Sequence, residues 1–209
     1  MSIQKTNHRK YELRARAESQ ERTRQRIAKA AAELHESVGP AETTVAEIAR
    51  RAGVSRLTVY KHFPDSAALY PACSAHHFSR HPLPDFGAAL AAEDPVERLR
   101  SLLLAVYGGY YRGQRRLLGN LQRDRGVDPA LDDFMRANGD AALGGLADAV
   151  TSGFDLERDR AARVRAMVAV ALDFWTWKRL DGQGLGDEAT AELMTDAVAS
   201  VAGAPATAR

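Results

Sequence analysis

The stretch TTVAEIARRAGVSRLTVYKHFPD, from Thr43 to Asp65, leaves this chain few ways to fold. Thr44 stands as an N-cap with Glu47 three residues later, the spacing of a capping box in which each side chain accepts the other's backbone N–H. Val45, Ile48 and Ala49 form one apolar face of a helix expected over 44–52. Gly53 follows, able to take the positive φ that ends a helix and redirects the chain. Ser55 caps the next helix, expected over 55–62. Helices this short are marginal alone, so packing must hold them. Ala49 supplies the small side chain that lets two helices cross closely, and Val59 and Phe63 give the second of them an inward side.

A preceding helix, expected over 21–37, puts Ile27, Ala31, Leu34 and Val38 on one stripe and leaves Arg22, Arg24, Arg26 and Lys29 for solvent. Packed together, the three helices turn Arg56, Leu57, Thr58, Tyr60, Lys61 and His62 outward. That face is basic and rich in hydrogen-bonding groups, as suits a helix presented to the DNA major groove, and the stretch reads as a helix-turn-helix. Charge agrees with this. Residues 1–62 carry 13 Lys and Arg against 7 Asp and Glu, whereas residues 63–209 carry 16 against 20, although the whole chain has a net charge of only +2. A polyanionic partner for the first part alone follows from that asymmetry.

The remainder reads as helix too. Alanine, leucine and arginine dominate, β-branched runs are scarce, and apolar residues recur every three or four positions. Breakers at Gly39-Pro40, His81 to Pro84, Asp94-Pro95, Asp128-Pro129 and Asp181 to Gly186 bound helices expected over 66–80, 95–112, 115–125, 129–151, 156–180 and 187–202. The ends, 1–18 and 203–209, are expected to be frayed or disordered by composition. One cysteine, Cys73, excludes an internal disulfide framework. No secretory signal and no apolar run long enough for a bilayer are legible, so a cytoplasmic location without membrane contact is expected.

The segment TTVAEIARRAGVSRLTVYKHFPDSAALY resembles the DNA-binding segment of TetR-family transcriptional regulators over about residues 21–70, because the Thr44 cap, the AxxxGVS turn, the TVYKHF helix and the FPD step occur in order. The resemblance implies an all-α chain with an N-terminal three-helix DNA-binding domain and a C-terminal helical domain for ligand binding and dimerisation. Divided accordingly, residues 1–20 form a basic arm, 21–65 the helix-turn-helix domain and 66–209 the ligand-binding and dimerisation domain. It further implies a homodimer that leaves operator DNA when a small-molecule inducer binds; no cofactor and no catalysis are expected. Matched residue by residue, Thr44, Tyr60, Lys61 and His62 correspond to phosphate contacts, and Arg56, Leu57 and Thr58, behind the Ser55 cap, to positions facing bases. Leu57 stands where many relatives carry glycine, and Ser66, after the Asp65 cap, where many carry lysine. For Tyr60 a half-buried packing role remains open, and for Lys61 and His62 an ordinary solvated one. The basic residues Lys5, Arg9, Lys10, Arg14 and Arg16 suit either a minor-groove arm or a plain tail.

Beyond that segment the residues speak less specifically. Pro71 inside 66–80 removes a backbone donor and predicts a kink. Cys73, His77 and His81 recur at four-residue spacing, but without a CxxC pair or a carboxylate cluster helix packing accounts for them better than metal. Tyr107, Tyr110, Tyr111, Phe134, Met135, Met167, Phe174, Trp175 and Trp177 collect large side chains in the central helices. From them a ligand pocket is expected around Tyr107, Tyr110, Tyr111, Phe134, Met167, Phe174 and Trp175, with Asn120, Arg123 or Arg112 as polar fixers; core packing is the alternative for each. Ala166, Val170 and Trp177 on one stripe, and Leu193, Met194, Ala197, Val198 and Val201 on another, suit either a four-helix dimer interface or burial within one chain. Two readings from other classes are a ligand-independent architectural DNA binder and a small helical enzyme. The second lacks a nucleophile elbow, a glycine-rich phosphate loop, an HExxH motif and paired carboxylates at catalytic spacing.

Overall fold

The computed structural model describes residues 3–203, with side chains from residue 12 onward. Residues 204–209, within the expected disordered end, lie outside the described residues. In chain order the helices are α1 (Ile3–Ser37), α2 (Val45–Ala52), α3 (Arg56–His62), α4 (Ser66–Arg80), α5 (Phe86–Ala89), α6 (Pro95–Leu104), α7 (Arg112–Asp124), α8 (Pro129–Met135), α9 (Ala141–Thr151), α10 (Arg158–Ala171), α11 (Phe174–Asp181) and α12 (Asp187–Ala202). Two π-helical stretches, Ala105–Tyr111 and Arg136–Asp140, join α6 to α7 and α8 to α9. Among the described residues there is no strand, and no helix is long and apolar enough to cross a membrane.

The chain forms two compact units, one holding the chain through His81 with Gly119–Phe134, the other Pro82–Leu118 with the chain from Met135. These units do not follow the functional division drawn at 65/66, because α4 and residues 119–134 pack with the first three helices. In the first unit α4 lies along α1, and α2 joins both α1 and α3. Ile27, Ala31, Leu34, Ile48, Ala49, Val59, Phe63 and Leu69 fill its core. In the second unit α10 packs on α9 and α12, and α6 on α12, around Leu99, Leu102, Val106, Val168, Trp177 and Val198.

Several expected elements change on folding. The first helix starts at Ile3 rather than at residue 21, since the charged stretch ahead of it is rich in good helix formers and contains no breaker. Residues 12–22 of it are exposed, and the side chains of Lys5, Arg9 and Lys10 lie outside the described residues. Val38 falls beyond the end of α1 and is exposed, because Gly39, at φ 101°, turns the chain there. The helix expected over 156–180 is two helices, α10 and α11, divided at Leu172 and Asp173. Asp173 adopts an extended backbone and caps α11 by accepting from Thr176 N–H at 2.7 Å. Those expected over 95–112 and 129–151 each pass into a π-helical stretch, which three- and four-residue periodicity cannot reveal. The four-residue helix α5 has no counterpart among the expected elements. α4 runs through Pro71 as one helix.

Candidate nucleic-acid interface

The site is built from its caps. Thr44 Oγ1 accepts from Glu47 N–H at 3.2 Å and starts α2. The reciprocal half of the expected capping box does not form, for the Glu47 carboxylate turns instead to Arg50, which donates to it at 2.5 and 2.9 Å and holds its pKa below the usual range. Gly53 ends α2 at φ 64°, in the left-handed region, and Val54 N–H reaches back to the carbonyl of Ala49 at 2.9 Å. Ser55 Oγ accepts from Thr58 N–H at 3.1 Å and lies 2.9 Å from the Thr58 hydroxyl. Asp65 caps α4 by accepting from Ala68 N–H at 2.8 Å.

These caps set α3 with one face in and one face out. Val59 and Phe63 are each only 2% exposed, while Leu57 is 72% and Tyr60 51% exposed. Arg56 and Lys61 are exposed too, and Thr58 and His62 are half-buried at the edges. The outward face expected from the sequence is therefore the outward face of the folded unit, and Tyr60 belongs to it rather than to the core. Two of its supports escaped the sequence. Arg24 donates to the carbonyl of His62 at 2.8 Å, and Arg26 to that of Gly53 at 3.0 Å, whereas helical spacing leaves both to solvent. Nothing in the helical spacing of α1 marks them, since their partners lie 38 and 27 residues away.

A buried polar cluster joins α1 to α4 and Asp128. His35 is buried, its ring 5.7 Å from that of Tyr70, whose hydroxyl donates to Asp128. Burial pulls the imidazole of His35 down to about 4, against the pull of Asp128 and Asp124. Cys73 Sγ lies 3.6 Å from His35 Nδ1, and burial pushes the thiol up to about 12, which leaves it a packed, unreactive group. His77 stacks on His81 with ring centroids 4.8 Å apart. Among the described residues no three His, Cys, Asp or Glu side chains are grouped to hold a metal ion.

The expected pocket residues are divided between the units. Asn120 donates to the carbonyls of His35 and Glu36 at 3.0 and 2.9 Å, and Arg123 to that of Val38 at 3.0 Å, so both serve the end of α1. Phe134 lies with them, its ring 6.0 Å from Tyr70. In the second unit Tyr107, Tyr111 and Phe174 are core, Tyr110 and Met167 are half-buried, and Trp175 is exposed. Arg112 is engaged by Asp181 at 2.8 Å and by Asp187 at 2.5 Å. The expected dimer stripes divide as well. Trp177, Met194 and Val198 fill the second unit's own core, Ala197 and Val201 are half-buried, and Ala166, Val170 and Leu193 face outward.

Known proteins agree with this geometry. Residues 27–73 match the family model of bacterial regulatory proteins, tetR family. Over 54 residues the chain is 44% identical to an uncharacterized HTH-type transcriptional regulator of Mycobacterium tuberculosis, a stretch that is 26% of this chain and 29% of that protein. The chain thus spans less than a third of the length of the curated relatives it matches. A TetR-like transcriptional regulator from Rhodococcus shares the fold at a TM-score of 0.57 and 21% identity, over 87% of this chain and 96% of its own. NalD, the secondary repressor of the MexAB-OprM multidrug efflux pump in Pseudomonas aeruginosa, shares it at 0.58 and 24%, over 88% and 97%. Residues 27–73 thus carry a helix-turn-helix of the tetR family of bacterial regulatory proteins, and the chain shares its fold with TetR-like regulators.

Proposed function

We propose that this chain is a cytoplasmic transcriptional regulator that binds operator DNA as a homodimer and leaves it when a small molecule binds. The observation that carries the reading is the outward face of α3, basic and exposed on a helix held at both ends and packed through Val59 and Phe63. Arg56 is suited to two-pronged pairing with guanine, and Leu57 and the Thr58 methyl to thymine methyls. Thr44, Tyr60, Lys61 and His62, with the Ser55 turn, supply phosphate contacts that set register. One seven-residue helix offers few base contacts, so two copies spaced by about one DNA turn, roughly 34–36 Å, are needed for a specific site. The exposed Ala166, Val170 and Leu193 are the parts of the expected interface left available for pairing. Repression is preferred to activation, a direction supported by the repressor role of NalD.

Selection of duplexes from a random-sequence pool by the purified chain tests the reading. A two-fold repeated motif bound by a dimer is expected, and fractions of the producing cell's metabolites should then release it. No enriched sequence, or a monomer indifferent to duplex DNA at low ionic strength, would overturn it. Retention of DNA binding with every fraction tested would leave a ligand-independent binder.

A further inference from the structure

Two arginines of α1 end on backbone carbonyls rather than on carboxylates. Arg24 donates from Nη1 to the carbonyl of His62 at 2.8 Å, and its guanidinium lies 4.1 Å from the centroid of the Phe63 ring. His62 closes α3 and Phe63 is its C-cap, so the bond falls on one of the carbonyls that a helix end leaves without an intrahelical donor. Arg26 donates from Nε to the carbonyl of Ala52 at 3.1 Å and from Nη2 to that of Gly53 at 3.0 Å, with Nη2 bonded to Ala52 as well. Ala52 closes α2, and Gly53 is the turn. One turn of α1 thus grips the C-terminal ends of both helices of the helix-turn-helix. Each grip is a cation set where the helix dipole is negative.

We infer that Arg24 and Arg26 are positioning residues for DNA recognition, acting on the duplex through α3 and α2 and not by touching it. The inference rests on the DNA-binding reading above. Its physical basis is the shortness of α3. A seven-residue helix cannot hold its last turn by its own hydrogen bonds, and that turn carries Tyr60, Lys61 and His62. Arg24 ties down the carbonyl at that end and stacks on Phe63, which is itself anchored in the core. Arg26 spans two successive carbonyls with one planar fork and so fixes the geometry of the turn from which α3 departs. A lysine brings the same charge without the fork or the stacking plane. Charge-preserving replacement therefore separates geometry from electrostatics.

The wild-type full chain, Arg24→Lys and Arg26→Lys are titrated by fluorescence anisotropy against the duplex that wild type selects and against a scrambled duplex of the same composition. Titrations run between about 50 and 200 mM salt, and stoichiometric titration gives each protein's active fraction. Either replacement is expected to weaken binding to the selected duplex roughly fivefold or more, comparable to losing about one base contact. Binding to the scrambled duplex, and the slope of log affinity against log salt, should stay as in wild type, because the lysine keeps the charge and the long side chains of Tyr60 and Lys61 still reach phosphates after a small shift of α3, whereas base contacts at Arg56 to Thr58 need its exact placement. Hydrogen exchange in the free variants should quicken in α3 before it does in the α1 core. An equal loss on both duplexes with a slope lower by about one would mark a direct phosphate contact and overturn the inference. A reduced active fraction with wild-type affinity for the selected duplex would reduce both arginines to stability alone and overturn it equally. Failure of wild type to select any duplex removes the DNA-binding reading itself, and is visible before any variant is made.

Discussion

At Gly53 the backbone stands at φ 64°, where a side chain clashes with its own carbonyl, and an added Cβ would lie 3.2 Å from Arg26 Nη2. Gly53→Ala is expected to lower stability by about 1–2 kcal/mol, read by urea denaturation, most of it from the left-handed conformation. His35 makes a prediction in pH. Its folded pKa of about 4 lies below the ordinary 6.5, so between those values the unfolded chain binds the extra proton. Stability should therefore hold above the upper value, fall as pH drops through the window, and be lower by about 3 kcal/mol once both states are protonated. Asp128 and Asp124 face the imidazole and reduce that loss as long as they stay charged. In His35→Gln the fall across the window should disappear from the same denaturation series. Of these two residues, Gly53 was legible because its role is local, while His35 sits among partners, Tyr70, Cys73 and Asp128, that the sequence keeps far apart.

The second unit shows what periodicity misses in its elements. The π-helical stretch Ala105–Tyr111 sets Tyr107 and Tyr111 side by side, ring centroids 6.3 Å apart. Tyr107 donates to the carbonyl of Ala171 at 2.6 Å and Tyr111 to that of Leu172, both at the end of α10. These tyrosines cap a neighbouring helix just where it breaks, so the break at Leu172 and Asp173 is satisfied from across the unit. Tyr107→Phe should leave the Ala171 carbonyl buried without that donor and reduce stability by about 1–2 kcal/mol in thermal or urea denaturation, with affinity for DNA unchanged. Arg112 performs a related task at the start of α12. It bonds Asp187 and Asp181, while the Trp177 indole N–H donates to Asp187 at 3.0 Å. An arginine that reads as a free polar fixer along the chain is thus bound into the loop connecting two helices. The same holds for Asn120 and Arg123 at the end of α1.

For the molecule as a whole, the charge asymmetry bears on how it meets DNA. In the proposed function the basic excess of residues 1–62 draws the chain to any duplex, whereas preference comes from the few side chains at the outward face of α3. Lys61→Ala is expected to weaken binding to all duplexes alike and to lower the salt slope by about 0.9. Arg56→Ala should instead relax preference at one position of the selected motif, at roughly 1–3 kcal/mol, with little effect on scrambled DNA. Anisotropy titrations on both duplexes separate the two, and a uniform loss for Arg56→Ala would mean that it does not read a base.

The helix-turn-helix could be read from the chain because every signal in it is local: a hydroxyl three residues before the amide it caps, a glycine at the turn, apolar side chains one helical turn apart. Such relations survive in one dimension, and the all-helical class and the outward face of α3 follow from them. The grips of Arg24 and Arg26, the buried His35 cluster, the tyrosine caps on α10 and the split of the expected pocket residues between two units belong to folding in three dimensions. Each joins residues distant along the chain through a hydrogen bond whose acceptor is most often a backbone carbonyl. Every residue has that group, so no side-chain pattern can announce which one will be used.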